Sequence, residues 1–222
     1  MALLDIVIDV SDAQGTIHWD DVAHAGIRVA MIKATEGATF TAHNWTTNTA
    51  GATAAGITVI PYHFMTNADP AAQADHFHTV AGLSPGAAYA LDWEPRAVDG
   101  ANITAGATQV DAMGRGLQAL VGRTPLGYWG IPGNTPGAPT AFMMTWDRWV
   151  PRYRDGAVAQ FPGTHNSPFG PPGGSPPGLP FRFWQYTAGG VVGGIGGAVD
   201  RSVASFDDVN ALIAWCTAAP AG

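Results

Sequence analysis

ITVIPYHFMTNADPAAQADHFHTVAGLSPGAAYALDWE, residues 57–94, carries the pattern that decides the fold. It opens on an apolar, β-branched run at 57–64 and closes on a second at 87–93, each the length of a buried strand. Between them, Asp69 reads as a helix cap and Pro70 as the first helical residue, so the spacing predicts a helix over 70–81. Strand, helix and strand in that order imply parallel pairing through a right-handed crossover. The same alternation runs outward. Upstream are strands at 3–10 and 27–34, with helices at 19–25 and 44–55; downstream are a long helix at 104–121 and a strand at 125–130. At least five strands in this order predict an α/β barrel, in which chemistry gathers at the C-terminal ends of the strands.

The alternation fades after about residue 145. Short strands are expected at 145–150, 157–161, 182–187 and 198–203, with no long helix between them. Residues 162–197 hold seven Pro and eleven Gly, which makes much of that stretch loop. A terminal helix is expected over 205–215, capped by Ser205. Residues 1–217 read as one domain and 218–222 as a linker-like tail.

Composition narrows the function. A net charge of −7, with one lysine and nine arginines in no basic run, argues against nucleic acid as partner. A single cysteine, Cys216, excludes an internal disulfide and reads as a small core residue. The N-terminus has no basic region, and Asp5 and Asp9 interrupt its apolar run, so no signal peptide is expected. No stretch approaches the roughly 18–20 apolar residues of a membrane span, and membrane insertion is not expected.

Several strands end in polar groups: Asp9, Lys33 to Glu36, Tyr62-His63, Asp92 to Glu94, and Tyr128. Asp92 and Glu94 are i and i+2, so they share a strand face, with Cα atoms roughly 6–7 Å apart. Two acids that close at an apolar mouth cannot both ionise easily, and one should keep its proton above the ordinary range. A protonated acid beside an ionised carboxylate is the equipment of glycosidic cleavage. The chain has only two glutamates, Glu36 and Glu94, against fifteen aspartates.

These residues resemble glycoside hydrolase family 25, the Chalaropsis-type lysozymes. The opening Asp9-Val10-Ser11-Asp12-Ala13-Gln14-Gly15 followed by His18-Trp19, then Lys33-Ala34-Thr35-Glu36-Gly37, Tyr62-His63-Phe64, Gln73-Ala74 with Phe77, Leu91-Asp92-Trp93-Glu94, Tyr128, and Trp184-Gln185-Tyr186-Thr187 with Gly193 and Val199-Asp200 run in the family's order. The resemblance implies an irregular TIM-like β/α barrel lacking the later helices. It implies N-acetylmuramidase activity on peptidoglycan glycan strands, with retention of configuration. Glu94 is then the general acid, and Asp92, Asp9 and Asp200 are the other cleft carboxylates. Either a carboxylate attacks the anomeric carbon, or the substrate's acetamido oxygen does so with Asp92 assisting; the shared face of Asp92 and Glu94 fits the second better. Glu36, Tyr62, His63, Tyr128, Trp184 and Gln185 are the expected substrate contacts. A phage endolysin is implied, made in a host cytoplasm and released to the wall, with wall-binding or peptidase domains in a longer parent. Three departures concern outer contacts: Arg201-Ser202 follows Asp200 where an Asn is common, Trp149 to Tyr153 replaces Trp-x-Ala-x-Tyr, and the Pro/Gly-rich loop at 162–180 is longer than usual.

Other constellations are weaker. His76 and His78 are i, i+2 on the expected helix and do not share a face, so no metal site is expected. Gly189-Gly190 and Gly193-Gly194 lack a following helix start and make poor phosphate loops, and no cofactor is expected. The alternative class is a non-catalytic cell-wall glycan-binding barrel, which the intact acid pair disfavours.

Overall fold

The protein's computed structural model describes residues 2–129, 136–152 and 181–218. Eight strands close into a barrel: β1 (Ala2–Val10), β2 (Val29–Glu36), β3 (Thr58–Phe64), β4 (Ala90–Asp92), β5 (Leu126–Tyr128), β6 (Asp147–Pro151), β7 (Phe183–Gly190) and β8 (Val199–Phe206). β1 to β7 are parallel neighbours in sequence order. β8 runs antiparallel to both β7 and β1 and closes the ring. Its first residues therefore sit beside the last residues of β1, at the mouth where the parallel strands end.

The first half follows the sequence pattern. Helices α1 (Trp19–His24), α2 (Trp45–Ala54), α3 (Pro70–Ala81) and α4 (Ala107–Val121) connect successive strands. Asp69 caps α3, its carboxylate accepting from the Ala72 amide at 2.9 Å. Helix α4 buries Val110, Met113, Gly114, Leu117 and Val121, one apolar stripe at helical spacing. Gly114 lies against the Trp146 ring so closely that a Cβ there would fall 2.3 Å from it.

Two apolar layers result. Ile8, Val10, Ile32, Leu91 and Trp93 point outward and pack under the helices. Val7, Val29, Met31, Ile60, Tyr62, Tyr128, Trp149 and Phe183 fill the interior. After α4 the one regular α-helix among the described residues is α5 (Val209–Thr217). Its Leu212 and Cys216 join the interior cluster, and its Cys216 carbonyl accepts from Ala88, just before β4. Helix α5 thus plugs the end opposite the strand C-termini and leaves one mouth open. Cys216 is buried, as expected of a core residue. No helix among the described residues is long and apolar enough to cross a membrane.

Three boundaries correct the sequence reading. The segment at 205–215 is not one helix: β8 runs on to Phe206, Ser205 pairs with Leu3, and the cap is Asp208, which accepts from Ala211 at 2.8 Å. The long helix starts at Ala107, because Gly106 is its cap and Gln109 folds back onto the Gly106 amide. The strand at 87–93 is regular only over Ala90–Asp92. The strand expected at 157–161, most of the Pro/Gly-rich stretch and residues 219–222 of the tail lie outside the described residues.

Candidate active site

Four carboxylates meet at the open mouth. Asp9 ends β1 and is register-paired with Asp200, the second residue of β8, so that each carboxyl group acts on the other. Asp92 ends β4 and Glu94 follows two residues on. Trp93 points the other way: it is buried in the outer layer, its indole donating to the Ala105 carbonyl at 2.8 Å. The expected shared face of Asp92 and Glu94 follows from that alternation, and the two charges act on each other.

The electrostatics are one-sided. Burial, then the Asp200 charge, hold Asp9 well above the usual carboxylate range. Burial, then Glu94, do the same for Asp92, with Lys33 the one opposing cation. Glu94 is raised by burial, pulled back by the hydrogen bond of Tyr128, raised further by Asp200 and lowered by Lys33. Asp200 is raised by burial too, against the hydrogen bond from Asp9. Such a cluster keeps protons at pH values where free carboxylates have lost them. Tyr62 lies among all four acids, and burial and their charges push its hydroxyl well above its ordinary value. Asp92 Oδ1 is buried without a hydrogen-bond partner among the described residues.

The remaining expected contacts divide. Tyr128 and Gln185 are in the mouth: the Tyr128 hydroxyl donates to Gln185 Oε1 at 2.7 Å, and Gln185 Nε2 donates to Asp9 Oδ2 at 2.9 Å. Glu36 is at the rim, clamped by Lys33 at 2.6 Å and by Arg96 at 2.8 Å. Burial works against its charge, yet Lys33 and then Arg96 hold it below the usual range.

Two expectations are corrected. His63 does not line the cleft. It is fully buried on the outer side of β3, its Nδ1 against Thr35 Oγ1 at 2.7 Å and its Nε2 against Gln73 at 3.1 Å, and burial lowers it to about 3. Tyr62, its neighbour, took the inner face. Trp184 likewise alternates away from Gln185. It packs with Tyr186 and Val203 on the outer wall and donates to the Arg152 carbonyl, so it offers no face to a sugar in the mouth. Arg96 was not singled out from sequence; only its place two residues beyond Glu94 pointed to it. Lys33, read as a partner for Glu36, also acts on Asp92 and Glu94, and being the chain's lone lysine was its signal.

A β/α barrel whose mouth holds neutral and ionised carboxyl groups side by side is the arrangement of a glycoside hydrolase. Residues 8–195 match the model of "Glycosyl hydrolases family 25", and the chain belongs to that family. Lysozyme M1 of Streptomyces globisporus is 33% identical over 205 residues, 88% of this chain and 66% of that protein. The autolytic lysozyme of Clostridium acetobutylicum is 38% identical over 88 residues, 39% of this chain and 27% of that protein. The matched regions thus span about a quarter and just under two thirds of these relatives. The bacterial lysozyme from Streptomyces coelicolor has a similar structure, with a TM-score of 0.72, 27% identity, and coverage of 96% of this chain and 97% of that one.

Proposed function

We propose that the protein is an N-acetylmuramidase, hydrolysing the β-1,4 bond between N-acetylmuramic acid and N-acetylglucosamine in peptidoglycan with retention of configuration. The observation that carries this is the mouth itself: Asp9, Asp92, Glu94 and Asp200 together, all raised by burial, in a chain whose relatives are named lysozymes. Glu94 gives its proton to the leaving oxygen. The unpartnered Asp92 Oδ1 accepts the N–H of the substrate's acetamido group, whose oxygen attacks the anomeric carbon. A tethered nucleophile acts at high effective concentration and reaches the ring face opposite the leaving group. Positive charge growing on the acetamido ring favours the ionised form of Asp92 and leaves the pair's proton on Glu94. The Tyr62 hydroxyl, set among the four acids, fits the acetamido oxygen, while the Tyr128 hydroxyl donates to Gln185. Glu94, now ionised, then takes a proton from the water that opens the ring, and the two inversions give retention.

The extra length of the relatives supports a place in a longer wall-lytic protein of the endolysin type, beside wall-binding or peptidase domains. Borohydride reduction of a digest of purified peptidoglycan tests the activity. Reduced muramic acid is the expected product; reduced glucosamine would put the cleavage on the other glycosidic bond, and no new reducing end would leave a glycan-binding barrel.

A further inference from the structure

The rim beside the acid pair carries positive charge. Glu36 of β2, Phe64 of β3 and Asp92 of β4 are register partners, one row across three parallel strands. At strand spacing, Glu36 is roughly 10 Å from Asp92. Arg96 lies two residues beyond Glu94, at the base of a short hairpin, Ala97–Val98 against Ala101–Asn102. Three hydrogen bonds pin its backbone: its amide donates to Thr104 Oγ1 at 2.8 Å, and its carbonyl accepts from the Ile103 amide at 2.9 Å and from the Thr104 hydroxyl at 3.2 Å. Its side chain is pinned as well. Nε donates to Glu36 Oε1 at 2.8 Å, and the guanidinium carbon stands 5.5 Å from the centre of the Phe64 ring. The two Nη groups remain, with no hydrogen-bond partner among the described residues, Asp99 of the hairpin turn included.

Charge is distributed unevenly as well. Arg115, Arg182 and Arg201 each face an aspartate of their own. At the rim two cations share one carboxylate: Glu36 Oε2 holds Lys33 at 2.6 Å while Oε1 holds Arg96. The Lys33 side chain is 15% exposed and acts inward on Asp92 and Glu94, whereas that of Arg96 is 40% exposed. Two N–H groups on a fixed plane match the two oxygens of a carboxylate. A donor already held in place loses little freedom on binding.

The geometry points to Arg96 as the site for a carboxylate of the peptide carried by muramic acid, received at the rim while the glycan occupies the mouth. This rests on the muramidase reading for the substrate. The sugars of that glycan are neutral, and the carboxylates of peptidoglycan lie on the peptide joined to the lactyl group of muramic acid. Glu36, expected as a substrate contact, is then a positioning residue that aims Arg96.

Two probes that differ only in their carboxyl groups test it. Each is the disaccharide N-acetylglucosaminyl-N-acetylmuramic acid bearing its wall peptide. In one the peptide carboxyl groups are free, and in the other all are amides. Neither probe holds the bond that a muramidase cuts, so binding is read without turnover. Calorimetric titration at low salt should give a Kd about fivefold to tenfold lower for the acid than for the amide. The preference should fade at high salt. Arg96→Gln should bind the acid as weakly as the amide. A merely structural role, in which losing the clamp disturbs Glu36, would weaken both probes alike and leave their ratio unchanged. Equal affinity of the intact protein for the two probes, undetectable binding of both included, overturns the site, as does a ratio that survives Arg96→Gln. Should that variant fail to fold, Arg96→Lys decides in its place: it keeps the charge but not the fork, and its ratio should fall to about twofold or less. Wall digestion is read separately. A protein that frees muramic acid ends yet binds both probes alike keeps the muramidase reading and loses the carboxylate site. A protein that prefers the acid through Arg96 yet cuts no glycan does the reverse.

Discussion

β1 carries two buried aspartates with opposite fates. Asp5 faces the outer wall, where the Arg201 guanidinium lies 3.0 Å away and the Tyr186 hydroxyl donates at 2.8 Å. Asp9 faces the mouth, where its partner across β8 is another acid, Asp200. Asp200 and Arg201 are consecutive on β8 and point to opposite faces, so one strand supplies a cation to the wall and an anion to the mouth. Simple alternation would put Asp5 and Asp9 on one face. The irregularity between Leu4 and Val7 inverts it: Leu3 packs outward with Trp184 and Tyr186, whereas Val7 and Asp9 turn inward. The same residue type is thus held in place by charge complementarity on one face and kept against charge repulsion on the other. Burial costs both. At the outer site Arg201 and Tyr186 oppose that cost, although burial outweighs them and holds Asp5 above the usual range; at the mouth the neighbouring acids add to it.

The largest expected effect lies in the mouth. Glu94→Gln removes the proton donor and keeps the shape. Turnover of purified peptidoglycan should fall by about 10²–10⁴ with no loss of thermal stability at neutral pH; near-normal turnover would remove Glu94 from the chemistry. On the outer wall the effect should fall on stability. Arg201→Met leaves Asp5 buried without its cation, and denaturant unfolding at neutral pH should show a loss of about 3–5 kcal/mol. That loss should shrink at acid pH, where Asp5 becomes neutral; a loss below about 1 kcal/mol would make the pair incidental. Smallest is Trp184→Phe. Its ring lies on the outer wall, so KM for wall fragments should stay within about twofold, with at most about 1 kcal/mol of stability lost with the indole hydrogen bond. A tenfold rise in KM would return Trp184 to the cleft.

Most of the first half was legible because its periods are unambiguous: β-branched runs of period two, and helices with a capping Asp69 or an apolar stripe such as that of α4. The reversal of β8 was not legible, because a short apolar strand reads the same in either direction. Ser205 was mistaken for a cap because Ser and Asp serve that position alike, and only the pairing of Ser205 with Leu3 separates it from Asp208. In the site, the carboxylates and Tyr62, Tyr128 and Gln185 were legible from strand ends and motif order. His63 and Trp184 were misplaced although alternation beside Tyr62 and Gln185 held the answer. The buried pairing of Asp5 with Arg201 was hidden by the irregularity in β1, which nothing in the local sequence announces.

The contrast between the two faces is tested most directly by the thermal unfolding of Asp92→Asn against the unchanged protein from pH 4 to pH 8. Burial and the Glu94 charge raise Asp92 in the folded state, so the folded protein holds a proton that the unfolded chain releases near its ordinary value of about 3.9. The stability that Asp92 contributes is therefore fully present below that value and is lost as pH rises through the raised one. Asp92→Asn, which never ionises, should match the unchanged protein near pH 4 and become the more stable of the two toward neutral pH, while releasing almost no wall fragments. An Asp92→Asn protein less stable than the parent at pH 7 would contradict this, and would make Asp92 a structural acid of the same kind as Asp5.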